Sequence, residues 1–229
     1  MKLRVMTYNV LHFLNLNTGE IDYKGFAELI RRTGADVVGL NEVYGASRLY
    51  GAQAEKLAAE LGWHCYFAYA FMDDGEDPFG NAIVSRLPID EARVVPIPYP
   101  EVRDGDQYYE PRCVLRARIA GYTFLVTHFG LNEDEQANAL ETVLGLIEPE
   151  RCLLMGDFNV TPESRFIPPL REKMNDADEL LNGELSFPSD APEKKIDYIF
   201  ASRDLRLTEA QVIPDVLSDH RPVIVTVEG

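Results

Sequence analysis

The chain has 229 residues, of which 46% are hydrophobic and 26% charged, and this composition excludes a fibrous or largely disordered protein. The length fits one large domain, so we expect residues 1–229 to form a single domain. Asp and Glu number 38 against 22 Lys and Arg, a net charge of −16 that predicts repulsion of a bare polyphosphate backbone unless basic residues or metal ions intervene locally.

The cysteines and the N-terminus bear on the cellular compartment. Cys65, Cys113 and Cys152 are odd in number and lie in apolar or strand-like stretches, so we expect reduced core thiols and no disulfide framework. No apolar run approaches the length that crosses a bilayer. The N-terminal residues lack the continuous apolar segment and cleavage site of a secretory signal. We therefore expect a cytoplasmic protein that does not insert into membranes.

The first half of the chain predicts strands and helices in alternation. Apolar residues at helical spacing favour a helix around 22–33, and Gly34 is a natural C-terminal cap. A second helix is closed in the same way by Gly62. The elements predicted for this half are a strand at 2–8, a helix at 22–33, a strand at 36–40, a helix at 52–61, and strands around 64–70, 80–86 and 91–97.

The second half begins with a predicted hairpin, because Ala120-Gly121 joins two strand-like segments. An amphipathic pattern over 133–147 predicts the third helix. The strands predicted for this half lie at 112–119, 122–127 and 151–156, and near 196–200, 205–213 and 221–227.

Three segments are predicted to be long surface loops, at 71–79, 98–110 and 173–195. In the second of these, Tyr99, Tyr108 and Tyr109 could stack on a base or a sugar, although edge packing explains them equally well. About ten strands and three helices exclude an all-helical fold and are too strand-rich for simple βαβ repetition. We therefore expect an α+β fold in which two packed sheets carry helices on their outer faces.

Compact polar groups stand at the ends of the predicted strands. They are Asn9, Glu42, His128, Asp157 with Asn159, Asp197, and Asp219 with His220. Taken singly, each has a structural explanation, because Asn and Asp favour turns and a lone histidine is more often structural than catalytic. Together, these carboxylates, amides and imidazoles, with almost no cysteine nearby, suit a hard cation such as Mg²⁺ or Mn²⁺ and not zinc.

The strongest local motif is Gly156-Asp157-Phe158-Asn159. In an extended segment, residues two apart point to one side, so we expect Asp157 and Asn159 to face the same space and Phe158 to point into the core. Asp157 can accept a proton, and Asn159 can donate an N–H to an oxyanion. The two histidines add acid and base chemistry near neutral pH.

Six blocks in a fixed order extend from residue 7 to residue 222: Thr7-Tyr8-Asn9, Leu40-Asn41-Glu42, Thr127-His128, Gly156-Asp157-Phe158-Asn159, Ile196-Asp197-Tyr198 and Ser218-Asp219-His220-Arg221-Pro222. This series resembles the endonuclease/exonuclease/phosphatase superfamily, the group of deoxyribonuclease I and the inositol polyphosphate 5-phosphatases. The resemblance implies a four-layered α/β sandwich with two central, mainly antiparallel sheets. One departure is Asn41, where the family usually has Gln before the metal-binding Glu.

The resemblance also implies a divalent cation, Mg²⁺ or Mn²⁺, as cofactor. Glu42 would be its principal ligand, with Asn9 and Asp219 close to the ion. Asp157 would orient or deprotonate the attacking water, or bind a second metal ion. The cation would neutralise charge on the phosphoryl oxygens and so allow several carboxylates to stand beside a phosphate.

Further roles follow from the same resemblance. His220, held by Asp197, would act on the in-line water or stabilise the transition state. His128 would donate to the phosphate, and Glu110 would orient His128 from within hydrogen-bond reach. The residues implied to contact the substrate phosphate are Arg112, Asn159 and Asn81.

The residue pattern favours a small phosphorylated substrate. The chain is strongly acidic, and its longest basic clusters are the pairs Arg31-Arg32 and Lys194-Lys195, which suit solvated surfaces better than a nucleic-acid track. We therefore expect a metal-dependent phosphodiesterase or phosphatase that works as a monomer. A DNA or RNA nuclease is the alternative. A non-catalytic binding module is disfavoured because no residue of the polar set is missing.

Overall fold

The computed structural model describes all 229 residues, and its framework is two six-stranded mixed sheets packed face to face. In spatial order, the first sheet consists of β13 (Arg206–Val212), β14 (Val223–Glu228), β1 (Lys2–Asn9), β4 (Val37–Tyr44), β6 (Asp77–Ser85) and β5 (His64–Asp73). The second consists of β11 (Met174–Asp176), β12 (Asp197–Ser202), β10 (Cys152–Asp157), β9 (Tyr122–His128), β8 (Cys113–Ile119) and β7 (Ile89–Pro96). A separate small hairpin pairs β2 (Leu14–Asn15) with β3 (Glu20–Ile21).

Five helices accompany the sheets: α1 (Tyr23–Thr33), α2 (Gln53–Leu61), α3 (Glu133–Leu146), α4 (Pro168–Lys173) and α5 (Asp178–Leu181). The side chain of Asp22 caps α1 by accepting the Gly25 N–H, and Gly34 ends the helix with φ 69°. None of the five has the length and apolar character of a membrane-spanning helix. The predicted sandwich of two sheets flanked by helices is confirmed.

The two sheets divide the apolar core into three layers. A central cluster of 23 buried residues lies between the sheets. A cluster of 18 packs α1 and α2 onto the first sheet, and a cluster of 16 packs α3 and α4 onto the second. Because the central strands are covered on both faces, β9 and β10 are buried at every position, and each contains a continuous apolar run, at 124–126 and 152–155.

Two of the three predicted loops contain regular structure. The strands β5 and β6 form a hairpin through most of 71–79, with Asp73 paired to Asp77 and only 74–76 left as the turn. The segment 173–195 contains β11 and α5. The hairpin was not predicted because its outer end is acidic and half-exposed, which obscures the alternation of polar and apolar residues. The segment 98–110 has no helix or strand, as predicted.

The three cysteines form no disulfide, as predicted. Cys113 and Cys152 are buried, and Cys65 is half-buried. Burial raises the pKa of the Cys113 and Cys152 thiols, which keeps them protonated and unreactive at neutral pH.

Parallel pairing of the central strands gathers the polar strand ends at one edge of the sandwich. The strand β1 runs parallel to β4, and β9 runs parallel to β10, so their carboxyl ends lie side by side. In this register Asn9 lies opposite Asn41, and Asp157 lies opposite His128. Asp157 is also opposite Asp197 of the antiparallel β12.

Candidate active site

A pocket opens at this edge and is lined by Glu42, Phe79, Tyr108, Glu110, Arg112, His128, Leu131, Asp157, Asn159, Phe187, Asp219 and His220. Eight of these twelve are residues that the sequence predicted for the site. Two more, Asn9 and Asp197, are fully buried beneath the pocket and hydrogen-bond to residues that line it. Asn81 alone of the predicted set lies elsewhere.

Glu42 reaches the pocket through a bulge in β4. The pairing of β4 with β6 shifts register between Leu40 and Val43, and Glu42 adopts a left-handed backbone with φ 58°. Strict alternation would turn Glu42 to the same face as Leu40, which is buried beneath the helices. The bulge turns the carboxylate to the pocket instead. The strand was predicted to end at residue 40 but resumes after the bulge and continues to Tyr44.

Asn41 ties the two sheets together directly behind the pocket. Its side-chain amide donates to Asn81 Oδ1 and to the Thr127 carbonyl, both at 2.8 Å, and its oxygen accepts the Asp157 N–H at 3.0 Å. Asn81 in turn donates to the Cys113 carbonyl at 3.1 Å. The prediction that Asn81 contacts the substrate phosphate is therefore wrong, because both ends of its amide are used between the sheets.

Glu42 and Asp219 place carboxylate oxygens that can bind a metal ion in the lining of the pocket. Asn9 Nδ2 donates to Glu42 Oε1 at 2.9 Å and to Asp157 Oδ2 at 3.1 Å, so it bridges two carboxylates. Burial raises the pKa of Glu42, and the Asp219 carboxylate raises it further. Glu42 Oε2 accepts no hydrogen bond from the protein. Two carboxylates that repel each other and keep a free oxygen suit a hard divalent cation, so the residues fit Mg²⁺ or Mn²⁺.

His220 faces carboxylates through both ring nitrogens. Its Nδ1 lies 2.9 Å from Asp197 Oδ2, and its Nε2 lies 3.5 Å from Asp157 Oδ2. Burial alone would lower the pKa of His220, but Asp197 and Asp157 together raise it. Burial raises the pKa of Asp157. His220 and Asp157 are therefore equipped to exchange a proton with a water molecule placed between them and a substrate.

Ser186 completes this arrangement, and no motif pointed to it. It is fully buried, and its Oγ donates to Asp197 Oδ2 at 2.6 Å, the same oxygen that faces His220. The neighbouring Phe187 places its ring 4.7 Å from the ring of His220. The Arg221 N–H donates to the Ser186 carbonyl at 2.7 Å and holds this segment beside the site. The one sequence signal was the length of the loop 173–195, since long loops are often functional.

His128 has the guanidinium of Arg112 as its neighbour. Arg112 Nη1 lies 2.9 Å from His128 Nδ1, and because a guanidinium only donates, Nδ1 accepts and the ring proton resides on Nε2. That nitrogen faces the pocket, 3.4 Å from Asp157 Oδ2. Burial, Arg112 and His220 lower the pKa of His128 well below its ordinary value, so its ring is neutral at pH 7.

Glu110 contacts Arg112 and not His128. Its carboxylate pairs with Arg112 Nη2 at 2.6 Å and makes no hydrogen bond to His128. The prediction that Glu110 lies within hydrogen-bond reach of His128 is therefore wrong, because the guanidinium fills the space between them. The result is a chain of three groups, carboxylate, guanidinium and imidazole, that ends at the pocket.

Asn159 and Asp157 both line the pocket, while Phe158 between them is fully buried, as predicted. Asn159 has a left-handed backbone with φ 51°, and its N–H donates to Asp157 Oδ1 at 2.9 Å. Its side-chain amide donates to the Phe129 carbonyl at 2.9 Å and lies 3.1 Å from His128 Nε2. The hydrogen bond to Phe129 fixes the amide beside the ring nitrogen that carries the proton.

Of the three loop tyrosines, only Tyr108 lines the pocket. The hydroxyl of Tyr109 donates to Asp134, and the ring of Tyr99 lies under Arg103. Sequence patterns gave no signal for Phe79 and Leu131, the other apolar residues of the lining apart from Phe187.

Comparisons with known proteins agree with this geometry. The sequence profile described as Endonuclease/Exonuclease/phosphatase family matches residues 6–220. A structure of an endonuclease/exonuclease/phosphatase from Beutenbergia cavernae is similar with a TM-score of 0.79 and 23% identity, over 99% of this chain and 71% of that one. A search of curated proteins gave no significant match.

Two further structures carry descriptions of activity. A mannosyl-6-phosphatase from Bacteroides thetaiotaomicron has a TM-score of 0.78 and 19% identity, over 99% of this chain and all of that one. A 3′ phosphatase from Neisseria, bound to a product DNA hairpin, has a TM-score of 0.70 and 18% identity, over 97% of this chain and 98% of that one. These likenesses show a shared fold. Through the profile match over most of its length, the chain belongs to the endonuclease/exonuclease/phosphatase family and is a hydrolase of phosphoester bonds.

Proposed function

We propose that the protein hydrolyses a phosphodiester or phosphomonoester of a small compound by in-line attack of water, with Mg²⁺ or Mn²⁺ as cofactor. The observation that carries this proposal is one pocket in which the Glu42 and Asp219 carboxylates stand beside the hydrogen-bonded pair of Asp197 and His220. The enzyme is proposed to act as a single-domain monomer. A cytoplasmic location stays a prediction.

In this proposal Glu42 and Asp219 hold the cation, and Asn9 positions Glu42. The cation would neutralise developing charge on the phosphoryl oxygens when bound. Asp157, Asp197 and His220 also bring ligand atoms within 4.8 Å of one another. We assign proton transfer to that group, because binding an ion there would cost the hydrogen bond between Asp197 and His220.

The chain's own donors complete the phosphate site. His128 Nε2–H and the Asn159 amide are adjacent and face the pocket, so both can donate to phosphoryl oxygens. Arg112 lines the pocket but is already paired with Glu110. Asp157 would take the proton from the attacking water, and the protonated His220 would stabilise the negative charge that develops in the transition state.

A small substrate is favoured by the charges around the pocket. Arg112 is the only Lys or Arg in its lining. Arg103, in the loop 98–110, and Arg221, next to His220, lie outside the lining: Arg103 lies over Tyr99, and Arg221 Nε donates to the Ser189 carbonyl. A nucleic-acid track needs several free cations. The mannosyl-6-phosphatase with the same fold is consistent with a small substrate, whereas the DNA-bound 3′ phosphatase keeps a nuclease or DNA phosphatase as the alternative.

The test is a substrate panel with Mg²⁺ or Mn²⁺ that compares bis-p-nitrophenyl phosphate, p-nitrophenyl phosphate, plasmid DNA, an oligoribonucleotide and inositol phosphates. We expect turnover of small esters and weak nicking at equal enzyme and low salt. Glu42→Ala should abolish metal-dependent turnover and the thermal stabilisation by Mg²⁺. The exposed Glu60→Ala is the matched control. Full Mg²⁺-dependent activity in Glu42→Ala would overturn the metal assignment, and efficient nicking with little small-ester turnover would favour the nuclease.

A further inference from the structure

An aromatic wall, formed by His12, Tyr44, Tyr50 and Phe79, continues the pocket away from the proposed phosphate site. The Tyr44 ring is stacked on Tyr50 with centroids 5.0 Å apart and lies edge-on to Phe79 at 5.0 Å. The His12 ring lies 5.8 Å from each tyrosine ring. Phe79 lines the pocket and the other three do not, so the wall extends outward from the reacting groups.

Hydrogen bonds from a buried glutamine hold the backbone of the wall in place. Leu11, His12 and Phe13 are three successive non-glycine residues with positive φ, at 42°, 45° and 64°. Such backbone is strained and persists only where its surroundings hold it. Gln53 is fully buried, and its side chain donates to the His12 carbonyl at 2.8 Å and accepts the Tyr44 N–H at 2.9 Å. One buried glutamine therefore fixes the backbone under two of the four rings.

Asp73 adds a carboxylate to the wall. The Tyr44 hydroxyl donates to Asp73 Oδ2, and Oδ1 accepts no hydrogen bond from the protein. Burial raises the pKa of Glu110, a residue of the pocket lining, and the Asp73 carboxylate raises it further. Burial lowers the pKa of His12, and Asp219 and then Asp73 oppose that shift. The charge of Asp73 therefore acts on both the pocket lining and the wall.

The nearby cations are already engaged. Arg48 pairs with Glu76 at 2.6 Å, and Lys56 donates to the Tyr50 carbonyl at 2.7 Å. A second phosphate at the wall would therefore be repelled by the Asp73 carboxylate, and Arg48 is already neutralised by Glu76.

On these grounds we propose that the aromatic wall and Asp73 bind the alcohol part of the substrate, and that this part is an uncharged ring bearing several hydroxyls, as in a monosaccharide phosphate. This inference rests on the proposed phosphoesterase function. The C–H surface of such a ring packs against aromatic side chains, and its hydroxyls donate to a carboxylate with a free oxygen. Phosphate chemistry and ring recognition would then be divided between the pocket and the wall.

The first test measures binding without turnover. Calorimetry on the full chain in EDTA compares glucose 6-phosphate and mannose 6-phosphate with inorganic phosphate. The ratio of the affinity for a hexose phosphate to that for inorganic phosphate measures what the sugar ring contributes to binding. We expect at least one hexose phosphate to bind more tightly than inorganic phosphate, and Asp73→Asn or Tyr44→Phe to reduce that ratio roughly tenfold. Asp74→Asn, an exposed neighbour without side-chain contacts, should leave the ratio unchanged. Equal affinity for hexose phosphates and inorganic phosphate would overturn the proposal.

The second test measures kcat/KM with Mg²⁺ or Mn²⁺ for the hexose phosphates, p-nitrophenyl phosphate and adenosine 5′-monophosphate. Asp73→Asn should lower kcat/KM for the preferred hexose phosphate roughly tenfold more than for p-nitrophenyl phosphate. Equal losses on both, or a wild-type preference for the nucleotide, would overturn the ring assignment while phosphoesterase function stands. Absence of turnover on every ester would refute the proposed function, and the affinity ratio would still decide whether the wall binds a ring.

Discussion

His128 and His220 lie close to the same oxygen of Asp157, at 3.4 Å and 3.5 Å, yet His128 is neutral and His220 is protonated. Both rings are buried, with 6% and 4% of their surface exposed, and burial lowers the pKa of each. What differs is the partner of Nδ1, a guanidinium for His128 and a carboxylate for His220. Burial is the main reason that His128 is neutral, and Arg112 reinforces it, whereas the carboxylates beside His220 outweigh burial and keep that ring protonated.

This difference divides the chemistry between the two rings. A neutral His128 with its proton on Nε2 is a fixed hydrogen-bond donor for a phosphoryl oxygen. A protonated His220 between Asp197 and Asp157 is an acid–base group whose proton can move. A neighbouring charge shifts each pKa, so removing that charge should move the pKa values of the two rings towards each other.

The largest effect is expected from Asp197→Asn. The substitution removes the negative charge that lies beside His220, so the pKa of His220 should fall. We expect kcat to drop by about 10²–10⁴-fold, the range for loss of acid–base catalysis. Steady-state kinetics on a p-nitrophenyl ester would measure it, with the exposed Asp90→Asn as control. A loss confined to KM would contradict this role for the pair.

A smaller loss of activity is expected when the positive charge of Arg112 beside His128 is removed. Arg112→Ala frees Nδ1, so the proton can leave Nε2 and the pKa of His128 should rise. We expect kcat/KM to fall about 10²-fold, the scale of losing one preorganised donor.

The same comparison separates two accounts of Glu110. If Glu110 acts through Arg112, Glu110→Gln should cost less than Arg112→Ala, and the double variant should be no worse than Arg112→Ala alone. Additive losses in this double-mutant cycle would instead show that Glu110 has a separate contact with the substrate or with His128.

Sequence reasoning reached the two histidines but not the partner of His128. The ordered motifs located both rings, because His128 ends β9, which runs parallel to β10, and His220 lies just before β14, which runs antiparallel to β1. The sequence also suggested Glu110 for His128, two residues before the true partner Arg112. A two-residue difference in a loop decides between a carboxylate and a guanidinium, and only side-chain geometry resolves it.

Local patterns also could not show contacts made by backbone irregularity or by distant loops. Alternation along β4 would turn Glu42 away from the pocket, and only the bulge reverses it. Ser186 meets Asp197 because its segment is hydrogen-bonded to Arg221, 35 residues later in the chain. Alternation alone therefore could not place Glu42, which was identified through the ordered motifs, and no pattern identified Ser186.

A more modest effect is expected at Ser186, which orients Asp197 and touches no substrate. Ser186→Ala removes a donor to a buried carboxylate, so kcat should fall roughly tenfold with little change in KM. Ser85→Ala, another fully buried serine truncated in the same way but outside the pocket lining, is the control for simple loss of packing. Ser186→Cys should restore part of the loss by keeping a weak donor. No recovery in Ser186→Cys, with equal losses in Ser186→Ala and Ser85→Ala, would contradict the positioning role.

The smallest effects should appear in the pH dependence of stability, and they have opposite signs for the two rings. The folded pKa of His220 is raised, so its contribution is complete below about pH 6.5 and is lost as the pH rises towards the raised value. The folded pKa of His128 is lowered, so its contribution is complete above about pH 6.5 and is lost as the pH falls. Urea unfolding of the metal-free protein, compared with His220→Gln and His128→Gln, should therefore show the wild-type advantage shrinking at alkaline pH for the first variant and at acid pH for the second. Each slope should approach about 1.4 kcal/mol per pH unit where only one state is protonated. Slopes of the same sign would mean that the two rings share one charge state, and the assignment of a donor and an acid–base group would then fail.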